Sequence, residues 1–295
     1  MVSFPIGVML DSFRLSDREA IAAAKRIGAS GVQMYCTAGE HAPENMTRDK
    51  KRELLSMMDD AGLVFSAICG DLGRGFGHAE LNPPLIEKSK RIMELSKELG
   101  SDVVTTHIGV VPEDPAHPRY GVMQEACREL AEFADGMGSH FALETGPEPS
   151  AVLKRFLDSL GSRGVAVNLD PANLVMVVGD DPVNAVHNLK DYIVHTHAKD
   201  GVMVQRTNPE YIYGVTPTPE DVRGATFYRE TPLGEGGVNF PAYLSALTEV
   251  GYRGFLTIER EAGDDPVKDI GDATEYLRKV MRENQGTRGR TRAFL

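Results

Sequence analysis

Basic residues are in short supply in this chain: 32 lysines and arginines stand against 43 aspartates and glutamates, a net charge of −11 over 295 residues. That deficit disfavours a nucleic-acid partner, whose phosphate backbone needs a broad basic face, though it leaves room for a small anionic ligand. Cysteine is scarce too. Cys36, Cys69 and Cys127 are odd in number, widely spaced and form no CxxC pair, so they read as reduced thiols of a cytoplasmic protein. Long apolar runs are missing: none approaches the ~20 residues of a membrane span. The opening MVSFPIGVML has no basic leader segment and looks like a first strand. A nucleotide-phosphate loop is missing as well, because Gly70–Gly77, GDLGRGFG, matches neither GxxxxGK[ST] nor GxGxxG opening a helix. It reads as a flexible loop at the mouth of the fold.

What is present is a rhythm. With 41% apolar and 25% charged residues there is ample chain for a large core. Short β-branched runs alternate with longer amphipathic ones. Pro5–Leu10 reads as a strand and Asp17–Ile27 as a helix, with Ser16 at its N-cap and Gly28 past its end. Gly31–Tyr35 and Leu63–Ile68 are the next strands, on either side of a helix over Thr47–Ala61. The pattern continues with strands at Asp102–His107, Ser139–Glu144, Val165–Asp170, Tyr192–Thr196 and Gly254–Glu259. Between and after them lie helices at Pro84–Leu99, Arg119–Met137, Ser150–Leu160, Pro182–Leu189, Phe240–Val250 and Asp269–Arg282.

Eight strand-then-helix units with short loops predict a single (β/α)₈ TIM barrel over 1–285, a fold of about 250 residues before insertions. The excess is an insertion at about 202–232, after strand seven, rich in proline and aromatics and without a clear period. It is expected to cover the barrel mouth or make a subunit contact there. The basic tail 286–295 is expected to fray or to join a homo-oligomer contact. A doubly wound open sheet is the runner-up, but it would need fewer strands and a glycine-rich first turn after Leu10.

Strands five to eight end in Glu144, Asp170, His197 and Glu259. The intervals are 26, 27 and 62 residues, and removing the insertion brings the last to about one βα unit. One candidate ligand per unit at one depth can enclose a divalent ion, and three carboxylates with one imidazole favour Mn²⁺, Mg²⁺ or Co²⁺ over a thiolate-rich zinc site. Taken singly, each carboxylate has a blander reading as a helix cap or an arginine partner; it is the recurrence that argues for a metal. His195 points the same way as His197 but one layer deeper, and reads as packing or support. His107, ending strand four, either lines the site or makes a structural hydrogen bond.

The stretches THIG (Thr106–Gly109), ALETG (Ala142–Gly146), NLDPANL (Asn168–Leu174), HTHAKDG (His195–Gly201), PLGEGGVNF (Pro232–Phe240) and FLTIERE (Phe255–Glu261) together resemble the xylose isomerase-like barrel superfamily, in its sugar phosphate isomerase/epimerase branch. The resemblance implies one divalent metal, Mn²⁺ foremost with Mg²⁺, Co²⁺ or Zn²⁺ as alternatives, held by Glu144, Asp170, His197 and Glu259. It also implies Glu144 and Glu259 as an acid/base pair, with His107, Asn173, Lys199 and Asp200 touching or supporting the substrate. The implied activity is isomerisation or epimerisation of a keto-sugar or sugar phosphate through an enediolate; the alternative is dehydration of a keto-sugar, inosose or related polyol. The superfamily's apurinic-endonuclease branch carries DxxH where this chain has Asp170-Pro171-Ala172-Asn173, and an extra DxH where it has Phe227, Tyr228 and Arg229. The added ligands of a three-zinc nuclease are thus absent. A non-catalytic sugar-binding barrel is disfavoured by the intact ligand set. Arg74, Arg223 and Arg229 are available for a phosphate, but none sits in a phosphate motif.

Overall fold

The computed structural model describes residues 3–292, with side chains through Asn284. The basic tail expected at 286–295 therefore lies outside the described residues, apart from helical backbone through Arg292.

Local signals set the elements. After β1 (Ile6–Met9), helix α1 (Asp17–Arg26) starts at a reciprocal cap: Glu19 accepts from both the backbone and the hydroxyl of Ser16. After β2 (Gly31–Tyr35), the Thr47 hydroxyl caps α2 (Arg48–Ala61), and Gly62 ends it with φ of 69°. Then follow β3 (Val64–Cys69), α3 (Asn82–Glu98), β4 (Val103–Thr106), α4 (Pro118–Gly136), β5 (His140–Glu144), α5 (Ser150–Leu160) and β6 (Val165–Leu169). Prolines in the first turns of α3 and α4 cost nothing, because those N–H groups have no intrahelical partner. A helical turn α6 (Pro171–Asn173) and a wider π turn (Leu174–Val178) precede α7 (Pro182–Leu189) and β7 (Ile193–Ala198). After the insertion come α9 (Phe240–Glu249), β10 (Leu256–Ile258) and α10 (Pro266–Arg292).

The first strand closes the barrel. It pairs in parallel with β2 on one side and β10 on the other, giving the closed order β1-β10-β7-β6-β5-β4-β3-β2. Outward-facing Ile6, Val8, Val32, Val104 and Leu256 pack under the helices with Ile21, Met93, Leu130, Phe156 and Leu277. The interior is polar where such barrels are usually packed with branched apolar side chains. Ser66 lies 3.5 Å from Thr257, Thr257 lies 2.9 Å from His195, and His195 lies 2.8 Å from Asn168. Gly7 makes room for this chain, since a Cβ there would stand 2.5 Å from the Thr257 hydroxyl.

The insertion has more structure than its aperiodic sequence suggests. β8 (Asp200–Met203) and β9 (Tyr228–Thr231) form an antiparallel ribbon, and between them lies the single turn α8 (Pro209–Ile212) capped by Asn208. Arg119 of α4 is ion-paired to Glu210 of that turn, which ties the insertion down onto the barrel. The three cysteines are buried and unpaired, and among the described residues no helix is long and apolar enough to cross a membrane.

Candidate metal centre

Parallel strands fix backbone geometry up to their C-terminal ends, where the chain turns and side chains converge. Glu144 is the last residue of β5, Asp170 follows β6, His197 is the penultimate residue of β7 and Glu259 follows β10. All four are buried, and they offer one ligand atom each within 4.8 Å of one another. The imidazole is the hub. Its Nδ1 lies 3.4 Å from Glu144 Oε1, 3.4 Å from Asp170 Oδ2 and 3.1 Å from Glu259 Oε2.

The rest of the cluster is held from behind. Asn168 Nδ2 donates to Glu144 Oε2 at 3.0 Å and Asn173 Nδ2 donates to Glu144 Oε1 at 3.2 Å, so both carboxylate oxygens are oriented. The Thr145 hydroxyl accepts from the Asp170 backbone N–H and donates to the Asp170 carbonyl, which stitches the ends of β5 and β6 together. His197 Nε2 lies 3.0 Å from Gln33 Oε1, and Gln33 in turn donates to Thr105 Oγ1 at 2.8 Å. That arrangement keeps a proton on Nε2, so a metal that displaced the Nδ1 proton would meet the Nδ1 lone pair.

Electrostatics show what such a cluster demands. Burial favours neutral His197, yet Glu144, Glu259 and Asp170 outweigh it and push the imidazole well above its usual pKa. Burial raises Asp170. It would raise Glu259 too, but Lys199, 3.1 Å away, and His197 hold that carboxyl well below its usual range. Three buried carboxylates around one point are stable only with compensating cations, and their oxygen-rich donor set with one neutral nitrogen fits a hard or borderline divalent ion.

Around this centre is a cavity of about 200 Å³. Its wall includes Tyr35, Asp71, His107, Asn173, Lys199 and Glu261, and the insertion contributes Ile212, Tyr213 and Tyr228. His107 Nδ1 lies 3.1 Å from Asp71 Oδ2, while its buried Nε2 has no hydrogen-bond partner and faces Glu144 Oε1 at 3.7 Å. Tyr213 packs over the His107 ring at 5.2 Å between centroids. Gly146, with φ of 136°, permits that approach, because a Cβ there would lie 2.4 Å from Asn173 and 2.9 Å from the Tyr213 hydroxyl.

Of the expected substrate contacts, the structure brings His107, Asn173 and Lys199 to the cavity and leaves Asp200 out of it. The Asp200 carboxylate turns the other way and accepts backbone N–H groups from Gly201, Gly234, Gly236 and Val238 at 2.9–3.0 Å. Strand alternation is the reason: neighbours Lys199 and Asp200 must point to opposite sides. His195 sits beneath the centre as expected. The sequence reading missed Gln33, although it is the lone polar residue of a buried strand, and Asp71, which lies two residues past the end of its strand. In the Gly70–Gly77 loop, Gly73 donates to Asp71 and Gly75 packs against the backbone of Ile108, so its glycines serve turns and close approach.

A closed parallel barrel with a carboxylate–imidazole cluster at its strand ends defines the class, and comparison with known proteins narrows it. The xylose isomerase-like TIM barrel family model matches residues 21–280, and the chain belongs to that family. A solved xylose isomerase domain protein from Planctomyces limnophilus superposes with a TM-score of 0.77 at 26% identity, over 97% of this chain and 99% of that one. SgbU of Escherichia coli (strain K12), whose name proposes an L-ribulose-5-phosphate 3-epimerase, is 24% identical over 91% of this chain and 93% of its own. An inosose dehydratase of Lacticaseibacillus casei is 29% identical, across 48% of this chain and 45% of the enzyme.

Proposed function

We propose that the chain is a divalent-metal-dependent isomerase or epimerase of a keto-sugar or sugar phosphate, with Glu144 and Glu259 as its acid/base pair. One observation carries the reading: the two carboxylates converge on a single point, 3.4 Å and 3.1 Å from His197 Nδ1. A divalent ion, Mn²⁺ foremost, held by Glu144, Asp170, His197 and Glu259 would polarise a substrate carbonyl as a Lewis acid. One glutamate removes the proton beside that carbonyl and the other returns one, to the same carbon from the opposite face in an epimerase or to the neighbouring carbon in an isomerase. Asn168 and Asn173 keep Glu144 aimed, and Lys199 keeps Glu259 aimed. Nε2 of His107 can hand a hydrogen bond to a substrate oxygen. Tyr213 and Tyr228 roof the cavity and offer faces on which a sugar ring can stack.

The inosose dehydratase relative favours a second reading, in which the same proton removal is followed by loss of a hydroxyl β to the new carbanion. One experiment addresses both. Turnover in D₂O with Mn²⁺ should place deuterium on the carbon next to the carbonyl; an isomer or epimer keeps its mass apart from the label, whereas a dehydration product is lighter by one water. Glu259→Gln, at saturating Mn²⁺, should suppress exchange. Absence of exchange with every keto-sugar and inosose would overturn the proposal.

A further inference from the structure

TIM barrels that bind phosphate esters frequently do so at the loops after strands seven and eight, with backbone N–H groups and an adjacent helix N-terminus. In this chain both positions are filled from within. After strand seven, the N–H groups of Gly201, Gly234, Gly236 and Val238 all donate to Asp200, which is buried and takes the place an anion would hold. After strand eight, the N–H groups of Glu261 and Ala262 donate to the Glu230 carboxylate at 3.2 Å, and Arg260 pairs with Glu230 and with Asp269. The helices that follow are capped by their own side chains, Asn239 for α9 and Asp265 for α10.

No spare cation makes up for this. The cations on the described cavity wall are Lys199, His107 and His197. Lys199 is buried and already pairs with Glu259 at 3.1 Å and Glu261 at 2.5 Å. His107 pairs with Asp71, and His197 is enclosed by the carboxylates of the cluster. Arg74, Arg223 and Arg229 are exposed and do not line the cavity. Against these stand Asp71, Glu144, Glu259 and Glu261 on the wall and Asp170 in the cluster behind it, so the surroundings stay negative even with a divalent ion bound. A phosphate dianion entering this space would meet carboxylates, and the N–H cradles after strands seven and eight are already occupied by Asp200 and Glu230.

Resting on the isomerase/epimerase reading, we infer that this site takes an uncharged polyhydroxy ketone, a free keto-sugar or a keto-inositol, and rejects its phosphate esters. The cavity of about 200 Å³, with three tyrosines and several fixed acceptors, suits one small polyol ring. The inference separates this chain from the relative whose name carries a sugar phosphate.

The test is a binding measurement that needs no turnover. Calorimetric titration of the Mn²⁺-loaded protein with a pentitol, a hexitol and myo-inositol, each beside its monophosphate, should give binding of the free polyol and about 100-fold weaker binding of the ester, as expected for several kcal/mol of like-charge contact. Glu261→Gln, an exposed position, removes one carboxylate and releases a hydrogen bond of Lys199. It should shrink that preference about tenfold. Equal or tighter binding of the monophosphates overturns the inference, as does binding of neither, or a preference unmoved in Glu261→Gln. The D₂O experiment judges the reaction separately: a polyol preference without exchange on any ketone would sink the isomerase reading and leave the inferred ligand class standing.

Discussion

Gln33 and His197, 164 positions apart in sequence, meet inside the barrel with Oε1 of the first 3.0 Å from Nε2 of the second. As an acceptor, Gln33 Oε1 keeps a proton on Nε2 while Nδ1 faces the carboxylates. Replacing Gln33 with leucine keeps the volume and removes the acceptor, so the Nε2 proton loses its acceptor and the Nε2–H tautomer is no longer enforced. Mn²⁺ affinity should fall by about 10–100-fold, with stability lowered by roughly 1–3 kcal/mol for the buried groups left unpaired. A Mn²⁺ titration of Gln33→Leu that matched the parent would show that the tautomer is set elsewhere.

Asp170 has two tasks, because its Oδ1 caps the turn at Asn173 while Oδ2 faces His197. Asp170→Asn keeps the cap and loses the charge; Asp170→Ala loses both. Both variants should bind Mn²⁺ far more weakly than the parent, while the alanine variant alone should also give up about 1 kcal/mol of stability. Equal thermal stability of the two variants would remove the capping role, and full metal occupancy in either would remove the ligand role.

Tyr213 reaches the cavity from the insertion, pressed against His107 and over Gly146. Tyr213→Ala should leave Mn²⁺ binding within a factor of two, while raising KM by about tenfold through lost ring contact. Glu210→Gln weakens the tie to Arg119 and should shift KM the same way by less. Unchanged KM in both variants would make the insertion decoration.

Glu148 predicts a pH effect. Its carboxyl is buried, accepts the Val111 N–H at 2.9 Å, and is pushed by burial from its ordinary 4.5 up to about 8. The folded protein therefore holds this proton while the unfolded chain releases it, and the group's contribution to stability falls as pH rises from about 4.5 to about 8. Glu148→Gln cannot ionise. The stability of this variant relative to the parent should improve by a few kcal/mol between pH 5 and pH 8, read from denaturant midpoints; a pH-independent difference would show that Glu148 sits in a wetter site than the structure shows.

Much of the barrel was legible because the alternation of β-branched runs with capped helices reflects local physics: Ser16 and Thr47 cap, Gly62 terminates, and strand ends recur with a common polar character. The strand-end cluster Glu144, Asp170, His197 and Glu259, which could hold a metal ion, could be picked out for the same reason. The insertion could not be read, since its ribbon is held by pairing between residues 25 to 31 positions apart, from Met203 with Tyr228 to Asp200 with Thr231, and neither segment shows a clean alternation. Asp200 was drawn into the site by its place beside Lys199, yet strand geometry sends the two apart.

By itself the sequence determined the order of elements, the strand-end donors and the negative balance, because each depends on residue type and short-range spacing. Only the tertiary structure decided which groups neutralise one another. Gln33 keeps a proton on Nε2 of His197, Lys199 is consumed by Glu259 and Glu261, and Asp200 and Glu230 occupy the N–H groups that could have held a phosphate. Those partnerships join residues 31 to 164 positions apart in the sequence. They arise from burial, which makes an unpaired charge or N–H costly and so forces distant groups to find one another.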